Sequence, residues 1–223
     1  PKVTVYITNY NYESYIKQAI DSVLNQTFSN LELLVIDDGS VDNSKEIINS
    51  YESNPKVKAI FQNRKGLNAS NNVALKNSSG EFIVRLDADD FLDEHAIEKM
   101  FDLLKKNQKA AIVFPDYFNV NINGEIINRV FRHDFNKEVS LLDQPAHGAC
   151  TMIRKSVLEE VGGYDEDFDR QDGYDIWLKV IFNYQVMNLN EPLFYYRQHG
   201  KNLTKNDLEL FKTRASIKRK HVN

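Results

Sequence analysis

Through the first half of the chain, short apolar runs rich in β-branched residues alternate with stretches of helical periodicity. Residues 3–8 form a near-continuous apolar strand. Residues 15–26 then place Ile16, Ala19, Ile20, Val23 and Leu24 on one helical face. Residues 31–36 read as a second strand, closed by Asp37-Asp38-Gly39-Ser40, and 42–51 as a polar helix carrying Ile47 and Ile48. A third strand over 57–61, a short helix over 67–76 and a fourth strand over 81–86 follow. Residues 95–106 complete the series with a helix showing Ile97, Met100, Phe101 and Leu104. This alternation predicts an α/β fold with a mostly parallel sheet covered by helices on both faces. Ligands of open sheets bind beyond the carboxyl ends of the strands. Asn9-Tyr10, Asp37-Asp38 and Asp87-Ala88-Asp89 all fall at such ends, so they should face one crevice.

After about residue 110 the pattern changes. Residues 110–115 read as a core strand, and 117–130 alternate around Asn123-Gly124, a strong hairpin signal. Residues 134–144 are polar and loop-like. A strand is expected over 149–153 and a short helix over 155–161, stopped by Gly162-Gly163. Residues 175–183 read as a helix with Ile176, Trp177, Val180 and Ile181 inward, and 193–197 as a last strand. Residues 207–220 are amphipathic and increasingly basic. With no repeat, low-complexity segment or linker, one domain over 1–223 is expected. It divides into parts of about 1–110 and 111–206 and a basic C-terminal helix over 207–223.

A length of 223 residues suits one large domain with a sizeable core, and 42% hydrophobic with 27% charged residues is an ordinary globular composition. The net charge of −4 argues against nucleic-acid binding as the main task. Cys150 is the one cysteine, which excludes an internal disulfide framework and fits a reducing, cytoplasmic compartment. No run approaches the ~20 apolar residues of a membrane span, and no signal-peptide pattern opens the chain. The chain begins at Pro1 rather than Met, so a processed, trimmed or excised domain is expected.

The chemistry concentrates in Phe82-Ile83-Val84-Arg85-Leu86-Asp87-Ala88-Asp89-Asp90, a buried strand ending in carboxylates. Like charges so close raise one another's pKa. A divalent cation removes that cost, and hard ions such as Mg²⁺ or Mn²⁺ favour oxygen ligands. The pattern therefore suggests a metal meeting an anionic ligand, a diphosphate. The plainer alternative is an acidic helix start capped by Asp90 or Asp93.

Four segments stand in order: Val3 to Asn11; Leu34-Val35-Ile36-Asp37-Asp38-Gly39-Ser40; Gly80 to Asp90; and Gly162-Gly163-Tyr164-Asp165 followed by Gln171-Asp172-Gly173-Tyr174-Asp175-Ile176-Trp177-Leu178. Together they closely resemble the family 2 inverting glycosyltransferases, from Val3 to about Thr204. The resemblance implies a single-domain A-type glycosyltransferase fold with a small antiparallel element in its acceptor half. Residues 1–110 would then be the nucleotide-binding half and 111–206 the acceptor-binding half.

It also implies roles. Tyr10 would stack on the base, with Thr8 shaping that pocket and Asp38 accepting the N–H of a pyrimidine, which favours UDP. Asp87 would bind the ribose, and Asp89 a Mn²⁺ or Mg²⁺ bridging the two phosphates. Asp172 would be the catalytic base and Asp175 the fallback. The usual family form sets Glu-Asp directly before the aromatic residue, whereas here Gln171 and Gly173 intervene. His199, in Tyr195-Tyr196-Arg197-Gln198-His199-Gly200, would be a further metal or phosphate ligand, with Lys201 or Arg197 as weaker phosphate contacts. His147 would touch the donor sugar or acceptor. Many relatives carry Arg where Asn71 stands, so Arg64 or Lys65 is expected to compensate.

The resulting expectation is metal-dependent transfer of a sugar from a nucleotide-diphospho-sugar to a glycan or lipid-linked acceptor, in bacterial surface glycan synthesis. Nucleotidyl transfer is disfavoured because the turn Asn9-Tyr10-Asn11-Tyr12 holds neither Gly nor Lys for a triphosphate. A non-catalytic nucleotide-sugar-binding scaffold is the other alternative. The basic residues 212–221 fit either contact with an anionic membrane face or, as favoured here, a solvated helix end.

Overall fold

The computed structural model describes residues 1–132, 148–200 and 207–222. Its centre is β1 (Val3–Asn9), whose Val3, Val5 and Ile7 join one core cluster and whose Tyr6 joins another, as strand alternation requires. β1 pairs in parallel with β2 (Leu31–Asp37) and with β4 (Phe82–Asp87), and β3 (Val57–Phe61) pairs in parallel outside β2. Both faces are covered, which is why these strands read as apolar runs rather than as alternating patterns.

The first core cluster takes Ile16, Ala19, Ile20 and Val23 from α1 (Ile16–Leu24), Ile48 from α2 (Ser44–Asn49) and Ile97, Met100 and Leu104 from α4 (Ala96–Lys106). The second takes Ala74 and Leu75 from α3 (Leu67–Asn77), Val157 and Leu158 from α5 (Lys155–Glu160), and Ile176, Trp177 and Val180 from α6 (Asp172–Val180). Each fully buried Leu, Ile or Val contributes roughly 1.5–3 kcal/mol, so these two stripes set the layering.

Beyond β4 the sheet becomes mixed. β8 (Met152–Arg154) lies antiparallel between β4 and β6 (Ala110–Val120), and β6 runs parallel to β9 (Gln185–Arg197). β5 (Phe91–Leu92) pairs with β9 and β7 (Ile126–Val130) with β6, both antiparallel. The order is β3-β2-β1-β4-β8-β6-β9-β5, with β7 attached to β6.

Several boundaries differ from expectation. The strand expected over 149–153 starts only at Met152, because Cys150 adopts φ 48° and the chain turns there. β6 and β9 run far past their expected bounds, through register shifts at Pro115/Asp116 that accommodate Pro192 opposite; bulges absorb prolines that a regular ladder rejects. α6 begins at Asp172 rather than 175 and ends at Val180, leaving Ile181 exposed instead of inward. Residues 91–92 form a strand that the periodicity missed. The loop expected over 134–144 lies within 133–147, outside the described residues.

The basic helix α7 (Asp207–Val222) is not amphipathic in the expected sense, since Leu208 and Phe211 are exposed. Three of its basic residues instead make contacts outside the helix. Arg214 Nε donates to Gln171 Oε1 at 2.7 Å, His221 Nε2 lies 2.7 Å from Asp175 Oδ1, and Lys220 pairs with Asp165 and Asp167. Among the described residues no helix is long and apolar enough to cross a membrane.

Candidate active site

The carboxyl ends of β1, β2 and β4 open into a cavity of about 590 Å³, and Thr8, Tyr10, Asp38, Arg64, Asp87, Asp89 and Asp172 all stand on its wall. On one side, Asn9 Nδ2 donates to Asp37 Oδ2 at 2.8 Å and to Ser40 Oγ at 3.1 Å. Ser40 Oγ also accepts the Asn11 amide, so this network shapes the turn that presents Tyr10. The Arg64 guanidinium lies 3.6 Å from the centroid of the Tyr10 ring. Asp38 Oδ1 accepts from Gln62 Nε2 at 2.7 Å and Lys65 N at 2.8 Å, and Oδ2 accepts from Gly66 N at 2.8 Å. A carboxylate has about four acceptor positions, so Asp38 holds its loop and keeps a position on Oδ2 for a ligand N–H.

At the next strand end, Asp87 accepts from Thr8 Oγ1 at 3.3 Å. Burial pushes the Asp87 carboxyl up to about 6; Arg85 pulls it down and Asp89 pushes it up. Asp90 is pushed well above the carboxylate range by burial and by its neighbours Asp89 and Asp87. It is no helix cap. Its Oδ1 accepts the Arg197 amide at 2.8 Å, while its buried Oδ2 has no hydrogen-bond partner. His199 Nε2 lies 2.7 Å from Asp89 Oδ2, and the imidazole is enclosed by Tyr12 and Tyr15 at 5.8 and 5.9 Å between ring centroids.

This crowding of acids, with an orphaned carboxylate oxygen and an imidazole beside them, fits a divalent cation. Among the described residues no group of three or more His, Cys, Asp or Glu side chains could hold one. An ion here would take Asp89 and His199 from the protein and complete its shell with ligand oxygens and water.

On the same cavity wall, Asp172 opens α6 and is buried. The residue facing it is one that the sequence argument did not single out. Arg85 Nη1 donates to Asp172 Oδ2, and Arg85 Nε lies 3.0 Å from Asp87 Oδ1. A charged side chain inside a buried apolar strand needs paired partners, and that was the available signal. Asn71, at the position where many family members carry arginine, is buried and accepts from Tyr6 Oη, which lies 3.1 Å from Tyr164 Oη. Of the two residues expected to compensate, Arg64 stands on the cavity wall, and Arg85 of β4 adds a second cation there.

The remaining expected residues fall elsewhere. Asp175 is buried off the cavity wall, with Oδ2 2.7 Å from Lys179 Nζ and Oδ1 facing His221, so its carboxylate is already engaged. Arg197 is buried too: Nε donates to Asp89 O, Nη1 to Ile122 O and Nη2 to Gln18 Oε1, which makes it a strut rather than a phosphate contact. His147 and Lys201 lie outside the described residues.

Residues 4–162 match the sequence model of the family described as Glycosyl transferase family 2. The chain is 29% identical over 213 residues to a chondroitin synthase of Escherichia coli, covering 95% of this chain and 31% of that protein. It thus spans about a third of the length of that relative. A crystal structure of S. aureus TarS in complex with UDP-GlcNAc superposes with a TM-score of 0.77 at 22% identity, covering 97% of this chain and 66% of that one. A mannosyltransferase from Pyrobaculum calidifontis in complex with GDP-Man and Mn²⁺ gives a TM-score of 0.70 at 20% identity, over 97% and 61%. These likenesses show a shared fold, the A-type glycosyltransferase architecture.

Proposed function

The chain belongs to glycosyl transferase family 2, and from that premise we propose that it transfers a sugar from a UDP-sugar to a hydroxyl acceptor, with inversion and with a divalent cation. The observation that carries the reading is one cavity lined by Tyr10, Asp38, Asp87 and Asp89 from one part of the chain and Asp172 from the other. The UDP-GlcNAc complex of TarS supports a uridine donor, and the Mn²⁺ complex of the mannosyltransferase supports a cation. The chondroitin synthase relative supports a glycan acceptor, and the reading places the reaction in bacterial surface glycan synthesis. The same reading assigns donor binding to residues 1–110 and acceptor binding to 111–206, on the cytoplasmic side where Cys150 stays reduced.

Tyr10 offers its ring to the base and Asp38 its remaining acceptor position to the uracil N–H. Asp87, steadied by Thr8 and Arg85, takes the ribose hydroxyls. Asp89 and His199 would hold the cation, which would supply positive charge against the leaving diphosphate. Asp172 accepts the proton of the acceptor hydroxyl as that oxygen bonds to the anomeric carbon. The bond from that carbon to the diphosphate oxygen breaks on the opposite face, and the diphosphate leaves with the electron pair.

The test is UDP binding by calorimetry and UDP-GlcNAc turnover, with and without Mn²⁺, on wild type and Asp172→Asn. Loss of a general base should lower turnover about 10²–10⁴-fold while UDP affinity stays within about twofold. UDP binding without turnover in either protein, with glycan acceptors supplied, would favour a binding scaffold. No response to any nucleotide would overturn the site.

A further inference from the structure

Arg85 occupies the middle of β4 between Val84 and Leu86, both fully buried, and its own side chain is 4% exposed. Its guanidinium reaches two carboxylates from distant parts of the chain. Nε and Nη2 face Asp87, at 3.0 Å from Oδ1 and 3.4 Å from Oδ2, while Nη1 donates to Asp172 Oδ2 across 87 residues of sequence. The backbone closes over this bridge. Cys150 N donates to Arg85 O at 2.7 Å, and a Cβ on Gly148 would collide with both Asp172 Oδ2 and Arg85 Nη2.

An isolated buried guanidinium is costly, and burying a well-paired one rarely stabilises more than an apolar side chain of similar volume would. Packing alone therefore gives no reason for arginine at this place. The geometry of the pair supplies one. Arg85 engages Asp172 only through Oδ2, and Asp172 Oδ1 makes no bond to any described residue although Asp172 lines the cavity. One oxygen is docked and the other is presented. Among the described residues, Asp172 has no other charged partner in bonding distance.

We propose that Arg85 is a positioning residue for the transfer: it docks Asp172 through Oδ2, leaves Oδ1 aimed at the acceptor hydroxyl, and ties this orientation to Asp87 on the donor side. The inference rests on the reading of Asp172 as the general base. A planar fork can hold two carboxylates at once, whereas the point charge of lysine cannot. Arg85→Lys should therefore behave more like a loss than a conservative change.

The experiment is a double-mutant cycle on turnover of UDP-GlcNAc, or of whichever UDP-sugar the wild type turns over fastest, with UDP affinity measured on the same proteins. Misplacing a reacting group by about 1 Å costs on the order of a hundredfold. Arg85→Met should thus lower kcat about a hundredfold in the wild-type background, and less than about threefold when Asp172→Asn is already present. The loss should lie mainly in kcat, with a smaller rise in the donor KM through Asp87, and Arg85→Lys should not restore kcat. Gly148→Ala removes neither charge but pushes the pair apart, and it should lower kcat at unchanged UDP affinity. That variant decides the matter if Arg85→Met does not fold. An equal loss from Arg85→Met in both backgrounds, or no loss from it or from Gly148→Ala, overturns the role of Arg85 alone. A wild type that binds no UDP overturns the transferase reading instead.

Discussion

His199 lies 2.7 Å from Asp89, with the Tyr15 ring stacked on it at 19° between planes and Tyr12 edge-on. The two rings fix the imidazole plane, so the nitrogen facing Asp89 is aimed before any ligand arrives. Orienting partners of metal ligands are commonly worth 10–100-fold in affinity, and a ligand itself at least as much. His199→Ala should therefore weaken Mn²⁺ binding in the presence of UDP by about tenfold or more, read from the free-ion signal in an electron paramagnetic resonance titration. An unchanged affinity would make His199 a packing residue. Asp89, His199 and Asp172 were legible because each sits in a local motif. The tyrosine enclosure and the Arg85 bridge were not, because their partners meet only through the sheet. Arg85 did leave a trace, as a charge inside an apolar strand, but the strand cannot say which carboxylates answer it.

Secondary-structure elements are held in register by contacts of the same kind. Glu32 on β2 accepts from Thr4 Oγ1 of β1 at 2.6 Å, and from Ser79 N and Oγ at 2.7 and 2.9 Å in the turn entering β4. One carboxylate thus ties the beginnings of three parallel strands whose far ends carry Tyr10, Asp38 and Asp87. Partial burial pushes the Glu32 carboxyl up, but these hydrogen bonds outweigh it and hold the group below its ordinary value of 4.5. A depressed carboxylate adds stability above its unfolded pKa and loses it as pH falls through the folded one. Glu32→Gln should accordingly cost about 1 kcal/mol at pH 7, the scale of a net hydrogen bond. That difference from wild type should shrink as pH falls below the ordinary Glu value and disappear once the depressed folded value is passed, read from urea unfolding across that range. A cost independent of pH would assign the effect to shape rather than charge. The parallel strands were legible because burial on both faces leaves an unbroken apolar run. β6 and β9 were read short because Pro115, Pro192 and the asparagines between them break the pattern where bulges carry the pairing onward.

At the scale of the whole molecule, the contacts that join the two parts of the chain around the cavity include Arg85 to Asp172, Asp89 to His199 and Asp90 to the Arg197 amide. One continuous sheet runs beneath them. A ligand bridging the two parts stabilises both at once, and the folded chain should respond as a single unit. A ligand at a hundred times its Kd stabilises by about 2.7 kcal/mol. For a chain of this size each kcal/mol shifts Tm by roughly 2–4 °C. UDP with Mn²⁺ at that excess should therefore raise the midpoint of one cooperative transition by about 5–11 °C in scanning calorimetry. Two transitions, with only one moved by the ligand, would show that the contacts across the cavity are too weak to couple the parts. Donor binding to one part would then leave the orientation of Asp172 in the other unchanged.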